Sequence, residues 1–319
     1  MTRYLLKRVP SALLVLFLAS VMIFLVIRMV PGDPVSTLAG PDATPEAKAA
    51  IRSDLGLDRP LVVQYLSWIG HMLSFNPGKS YIVGGDITSL VSDGLANTVV
   101  LTITALVLAI GAALAGSIAA LLVNRRWLDA VLAAVNTLAV ALPTFVTGVL
   151  FVLLFAVVVR LLPAGGTPPD GFVAHPDIAL QYLLLPALCL ALPVGAALTR
   201  FLTEALRTQM EQPYVMTARA LGISRRRIVV TQALRNALPS TVTVVGVQVG
   251  ALLGGAVLVE AIFAWPGLGL LIEQAISSRD YPLVQALLLL SVLVFVVTQL
   301  LSDVVNAWLD PRIRLGGVE

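Results

Sequence analysis

The chain has 319 residues, of which 58% are hydrophobic and only 12% are charged, and its mean hydropathy is +0.94. Soluble domains carry about 25% charged residues, so this composition excludes a disordered protein, a nucleic-acid-binding module and an ordinary cytosolic enzyme. A membrane protein with several spans remains. The formal net charge of +3 is too small to indicate an anionic partner. The single cysteine, Cys189, excludes an internal disulfide and any Cys-X-X-Cys metal or redox motif.

Long uncharged segments locate the spans, because a charge at the centre of a spanning helix costs about 2.5–3.5 kcal/mol. Six such segments are long enough for the roughly 20 residues that cross the hydrocarbon core: 9–27, 94–124, 130–159, 178–199, 236–259 and 281–302. They predict an all-α membrane protein with six transmembrane helices. Pro143, Pro186 and Pro193 lie inside spans and predict kinks there.

A seventh uncharged segment, 60–78, has a different pattern. Polar residues recur in it at steps of three and four, at Gln64, Ser67, His71 and Ser74. The opposite face is apolar, and the roughly 15 helical residues between the prolines reach only about 22 Å. The segment therefore predicts an amphipathic helix that lies on the membrane or on another subunit.

The charge distribution predicts the orientation. With six spans and cytoplasmic N- and C-termini, the inner segments hold 14 of the 21 Lys and Arg and 6 of the 18 Asp and Glu. The inner side then carries +8 and the outer side −5, as the positive-inside rule expects. The apolar run 11–27 exceeds the roughly 7–15 residues of a signal-peptide core, so it is predicted to be the first span.

These spans divide the chain into four predicted regions: the tail and first span at 1–30, an extracytoplasmic loop at 31–96, a core domain with spans two to six at 97–314, and a tail at 315–319. In the loop, Pro31-Gly32-Asp33-Pro34 is predicted to end the first helix. A short helix follows at 44–54, with Thr44 as its N-cap.

The inner loop 201–235 carries six arginines and two glutamates. Pro213 suits a first helical position, 214–221 can form two turns, and Gly222 supplies the left-handed residue that ends a helix. Ser224 can then cap a second helix that runs to a break at Leu238-Pro239. A helix, a glycine turn and a second helix form a shape that suits a docking partner; a basic loop that only fixes topology is the alternative.

Span five carries Gly246, Gly250 and Gly254 at steps of four, a spacing that lets helix backbones pack closely. Its polar residues Thr241 and Gln248 are candidates for lining a translocation path.

The sequence predicts no catalytic, cofactor or metal site. Gly78-Lys79-Ser80 resembles the end of a phosphate-binding loop, but the first glycine of that motif is replaced by Leu73, so the chain does not bind ATP through it. Glu260 and Asp303 lie at span ends, where solvation or a local partner accounts for them. Ion-coupled carriers usually need intramembrane carboxylates or interrupted helices, so energy for uphill transport would come from elsewhere.

Two stretches of the inner loop resemble the EAA loop of ABC importer permeases: 214–222, Tyr-Val-Met-Thr-Ala-Arg-Ala-Leu-Gly, and 233–239, Ala-Leu-Arg-Asn-Ala-Leu-Pro. Thr217-Ala218 occupy the two small positions, and Met216 stands where the glutamate is usual. Three further stretches narrow the resemblance to the dipeptide/oligopeptide/nickel permease family. They are 31–34, 260–269 (Glu-Ala-Ile-Phe-Ala-Trp-Pro-Gly-Leu-Gly) and 310–314 (Asp-Pro-Arg-Ile-Arg).

The resemblance implies a type I ABC importer permease in a bacterial or archaeal cell membrane, which forms the path with a second, homologous permease. It also implies two cytoplasmic ATPases that bind ATP and Mg, and an extracytoplasmic binding protein that delivers the substrate. The implied substrates are di- or oligopeptides, with nickel and glutathione as alternatives. The residues implied to couple to the ATPases are Tyr214, Thr217, Ala218, Arg219, Ala220 and Gly222. An ion-coupled secondary transporter and a membrane scaffold or sensor are the competing hypotheses.

Overall fold

The computed structural model describes residues 2–30, 35, 39, 43–54, 56–123, 125–168 and 175–309. Regular structure in these ranges is helical apart from one isolated β-bridge between Lys79 and Asp86, which confirms the all-α prediction. In chain order the helices are α1 (Thr2–Met29), α2 (Pro45–Asp54), α3 (Leu61–Leu73), α4 (Ile87–Val123), α5 (Arg126–Ala141), α6 (Thr144–Phe151), α7 (Pro176–Met210), α8 (Pro213–Ala220), α9 (Arg225–Arg227), α10 (Leu234–Ile262), α11 (Leu268–Ser277) and α12 (Tyr281–Leu309). Two π-helical segments, π1 (Val152–Val158) and π2 (Ile228–Ala233), continue α6 and precede α10.

Five helical runs are long and apolar enough to cross a membrane: α1, α4, α7, the run from α9 through α10, and α12. The remaining predicted span, span three at 130–159, is a bent pair, in which α5 meets α6 and π1 at 107°. The expected kink at Pro143 is thus a full break. Leu142 and Pro143 are both extended, with ψ of 126° and 140°, because a residue before proline disfavours the helical region. Pro186 and Pro193, in contrast, lie inside an unbroken α7.

The predicted break at Leu238-Pro239 is wrong, since α10 continues through Pro239 to Ile262. Pro239 leaves the Arg235 carbonyl without its helical donor, a loss that helices inside a membrane bundle tolerate. Thr241 Oγ1 and Ser240 Oγ donate to a different oxygen, the Ala237 carbonyl, at 2.8 and 3.0 Å. The loop expected at 201–235 also begins with helix, because α7 extends to Met210.

Two short helices outside the spans follow the predictions. The Ala47 amide donates to Thr44 Oγ1 at 3.3 Å, which confirms Thr44 as the N-cap of α2. The amphipathic segment is α3, and its apolar face is exposed, with Val62 at 69% and Leu66 at 60%. The predicted turn at 31–34 lies outside the described residues.

Backbone contacts group the chain into two units. The central unit comprises Thr98–Trp265 and the described part of Thr298–Glu319, and the flanking unit comprises Thr2–Asn97 and Pro266–Val297. The core of the central unit joins α4, α7 and α10 around Leu185, Leu252 and Trp265. The core of the flanking unit gathers the following side chains: Ile87, Leu268, Ala275, Leu283, Val284, Ala286 and Leu287.

The flanking unit also has a buried polar centre at Asp280, which is only 1% exposed. Its Oδ2 accepts hydrogen bonds from Ser80 Oγ (2.5 Å) and from the Ile82 and Val83 amides (2.9 and 3.3 Å). Its Oδ1 accepts from the Leu283 amide at 3.4 Å and so caps α12. One carboxylate therefore holds the turn at 80–84 against the start of a span, an arrangement that the sequence analysis missed.

Candidate coupling interface

Helix α8 is a short helix set between α7 and α9. Gln212 is extended, with ψ of 149°, and Pro213 follows as the first helical residue, where its missing amide costs nothing. The Tyr214 hydroxyl donates to Gln209 Oε1 at 3.0 Å. This bond joins the first turn of α8 to the last turn of α7.

The end of α8 is a Schellman motif built on Gly222. Gly222 has φ of +76°, which confirms the predicted left-handed residue. Its amide donates to the Arg219 carbonyl, and the Ile223 amide donates to the Ala218 carbonyl, both at 3.0 Å. These are the two bonds of the motif, and Ile223 also packs in the same apolar cluster as Ala218.

The inward face of α8 is held by a small core. Val215 and Ile228 are fully buried and Ala218 is 4% exposed, with Met210 and Ile223 packed around them. This core links α8 to the end of α7 and to π2. Ala218, one of the residues implied to couple, therefore supports the helix from below and is not part of its surface.

The outward face of α8 mixes apolar and basic groups. Met216 is 71% exposed and Leu221 is 75% exposed, and Thr217, Arg219 and Ala220 are exposed beside them. Exposed apolar side chains rimmed by polar ones are typical of protein–protein contact sites.

A second attachment runs through Arg225. Its Nε donates to the Leu121 carbonyl near the end of α4 at 2.9 Å. Beyond it, a shallow depression of about 290 Å³ is lined by Ser224, Arg226, Arg227, Val230 and Thr231. The exposed surface around α8 is thus basic and is joined to α4, α7 and α10.

Two family models match the chain. The model described as "binding-protein-dependent transport system inner membrane component" matches residues 112–315, and its N-terminal companion model matches residues 1–102. The chain belongs to this family. It is a permease subunit of an ABC importer and a multi-pass inner-membrane protein.

Full-length relatives agree with this assignment. A putative peptide transport system permease protein of Brucella abortus (strain 2308) is 36% identical over 314 residues, which cover 98% of this chain and 99% of the relative. The glutathione transport system permease protein of Salmonella choleraesuis (strain SC-B67) is 35% identical over the same shares of the two chains.

The predicted path and packing residues of this permease lie along α10. Thr241 is buried and its hydroxyl is bonded within the helix, whereas Gln248 is half-buried, as are Gly246 and Gly250. Gly254 is exposed, and nothing lies within 4 Å of an added Cβ there. Its neighbour Gly255 faces α7, since a Cβ added there would lie 3.0 Å from Leu190 Cδ1. The path and packing roles stay predictions.

The far end of α10 carries the buried Glu260. Its Oε1 accepts a hydrogen bond from Thr98 Oγ1 at 2.6 Å, so a local partner does satisfy it. Just beyond, the Gly166 amide donates to the Phe263 carbonyl at 2.7 Å. A Cβ on Gly165 would lie 2.2 Å from that same oxygen, so the two backbones touch.

Proposed function

We propose that this permease forms a translocation path with a second, homologous permease and that two cytoplasmic ATPase subunits dock on the outward face of α8. The observation that carries the proposal is the contrast between the two faces of α8. The buried face packs against the end of α7 and the start of π2, and the exposed face presents Met216, Arg219 and Leu221 to a partner. The ATPases bind ATP and Mg, and this chain hydrolyses nothing itself.

Helix α8 acts as a lever. Because Val215 and Ala218 pack against Ile228, and Tyr214 bonds to Gln209, a partner that moves α8 also moves the end of α7 and the start of α10. Arg225 transmits the same movement to α4. ATP-driven closure of the ATPases thereby tilts the spans toward an outward-facing state.

The substrate class follows from the named relatives. One full-length relative is named for peptide transport and another for glutathione transport, which supports di- or oligopeptides as the substrates of this permease. An extracytoplasmic binding protein delivers them. The chain lies in a bacterial or archaeal cell membrane with both termini in the cytoplasm, as the excess of arginine in the inner segments supports.

Single-cysteine cross-linking tests the docking surface. The native Cys189 is buried and is first replaced in Cys189→Ser. We expect a cysteine in Met216→Cys to cross-link to an ATPase subunit in the purified complex. A cysteine in Val9→Cys, which is 43% exposed and lies at the predicted cytoplasmic end of α1, is the matched control and should not.

Composition of the purified complex tests the wider proposal. The full chain should co-purify with two ATPase subunits and a second permease, and vesicles containing the complex should take up peptide only with ATP. A stable single subunit that transports without these partners would contradict the proposal. A cross-link from Val9→Cys but not from Met216→Cys would reject α8 as the docking surface. It would not contradict the proposed subunit composition of the complex.

A further inference from the structure

The flanking unit contains a cavity of about 730 Å³ that the transport mechanism does not use. Its wall includes the end of α1, the polar edge of α3, the turn at 56–59 and the start of α12. A cavity of this size is within the range that holds a small-molecule ligand.

Three buried polar atoms in this wall have no hydrogen-bond partner among the described residues: Gln64 Oε1, Trp68 Nε1 and the Tyr281 hydroxyl. Gln64 is only 9% exposed, and its Nε2 is fixed by bonds to the Leu57 and Arg59 carbonyls at 3.2 and 2.6 Å. Buried polar groups are nearly always paired in native structures. These three atoms are closed off from solvent, so the polar groups that meet a ligand in the cavity are the charged side chains of its wall.

The charged groups of the wall are mainly cationic. Arg28, Arg52 and Arg59 line the cavity, against one carboxylate, Asp54. Arg28 lies 5.1 Å from the centre of the Phe24 ring, a cation–π contact that fixes its guanidinium at the end of α1. Arginine guanidinium groups suit an oxyanion, phosphate above all.

Helix α3 places this cavity beside lipid. Its aromatic side pairs with α1, where Phe24 stacks edge-on against Tyr65 at 5.5 Å and Ser20 Oγ lies 2.9 Å from the Tyr65 hydroxyl. Its other side carries exposed Val62 and Leu66. Ser20 and Phe24 lie in the second half of the span Arg8–Met29, and Arg28 lies at its end, where an arginine side chain reaches the membrane interface.

We propose that this cavity binds the phosphate headgroup of an anionic phospholipid, with Arg28 and Arg59 on the phosphate and the acyl chains along the exposed apolar face of α3. By the predicted topology the lipid belongs to the outer leaflet. A free phosphate ion supplies the same anionic chemistry but leaves the apolar face of α3 uncovered, so the lipid is the better match. This site is separate from α8 and stands whether or not the ATPases dock there.

Native mass spectrometry of the full complex tests the site. The complex is reconstituted in nanodiscs that contain phosphatidylglycerol and phosphatidylethanolamine, and the lipid retained after release is identified. We expect phosphatidylglycerol to be retained selectively, and its retention to fall about fivefold in Arg28→Gln and in Arg59→Gln. Arg28→Lys keeps the charge and should retain most of the lipid. Arg160→Gln, an exposed arginine at the end of π1, is the matched control and should not change retention.

Several results would overturn the proposal. Equal retention of the two lipids would mean that the headgroup charge is not recognised. An unchanged lipid signal in both glutamine variants would remove the arginines from the site. Displacement of the lipid by millimolar glycerol phosphate or inorganic phosphate would identify a soluble anion as the ligand. Arg59 lies in an exposed turn, so Arg59→Gln also gives an answer if Arg28→Gln does not assemble.

Discussion

Replacing Gly222 by valine isolates the contribution of one turn to the coupling of transport with ATP hydrolysis. Gly222 has φ of +76°, and nothing lies within 4 Å of a Cβ added there. A substitution at this position therefore creates no clash with a neighbouring residue. Its whole cost is the backbone strain of holding an L-residue in the left-handed region.

The magnitude follows from that geometry. Alanine in the left-handed region costs about 1 kcal/mol, and a β-branched residue costs about 2 kcal/mol, whereas asparagine tolerates the region well. A strain of about 2 kcal/mol reduces the population of the Schellman motif roughly thirtyfold relative to open states. The bonds to the Arg219 and Ala218 carbonyls are lost with it, and the end of α8 is released from its core.

The assay is the ratio of peptide taken up to ATP hydrolysed by the complex in proteoliposomes. We expect this ratio to stay near the wild-type value in Gly222→Asn, to fall in Gly222→Ala and to fall furthest in Gly222→Val. ATP hydrolysis itself should continue in all three, since we propose that the ATP sites belong to the partner subunits.

Ala49→Val is the matched control, because it adds the same β-branched side chain at an exposed helical position outside α8, in α2. Its cost in helix propensity is only about 0.5 kcal/mol, so coupling should be nearly normal. An equal uptake ratio in Gly222→Val and Ala49→Val, with both complexes fully assembled, would refute the lever model.

Two further variants each test the packing within one unit. Gly165→Ala forces a Cβ to within 2.2 Å of the Phe263 carbonyl oxygen, and we expect it to lower the free energy of unfolding of the permease by about 1–3 kcal/mol in a thermal unfolding experiment. Gly111→Ala in α4, which has open space around it, is the control and should leave the thermal unfolding midpoint unchanged or raise it. Asp280→Asn weakens the charge-assisted bonds from Ser80 and the adjacent amides, so limited proteolysis should cut the 80–84 turn at least tenfold faster. An unchanged cleavage rate would show that this turn does not depend on the Asp280 carboxylate.

The spans and the helix α8 were predictable because each depends on local sequence. An uncharged run of 20 residues has few structural options in a membrane, and Pro213 and Gly222 mark the two ends of α8 through their own backbone preferences. The prolines within spans were harder. Pro143 breaks its helix and Pro239 does not, because the outcome depends on the packing around each proline in the folded bundle and not on the proline alone.

The buried polar sites could not be predicted for a different reason. Asp280 bonds to Ser80 across 200 residues of sequence, and Glu260 bonds to Thr98 across 162. No local pattern pairs such residues. Gln64 and His71 illustrate the same limit of local sequence patterns. Their spacing of three and four residues predicted a polar face on α3, but it did not predict that this face borders a cavity.

The π-helical segment π2 has a consequence for how α8 and α10 are matched. A π-turn holds one residue more than the α-helical turn it replaces, and one residue in an α-helix corresponds to a rotation of about 100°. The length of Ile228–Ala233 therefore sets which side of α10 is presented for a given orientation of α8. If the same residues formed a regular α-helical turn instead, Gly246 and Gly254 would rotate by about 100° relative to Ile228, the residue on which α8 packs, so the wide turn sets the phase between α8 and the rest of α10.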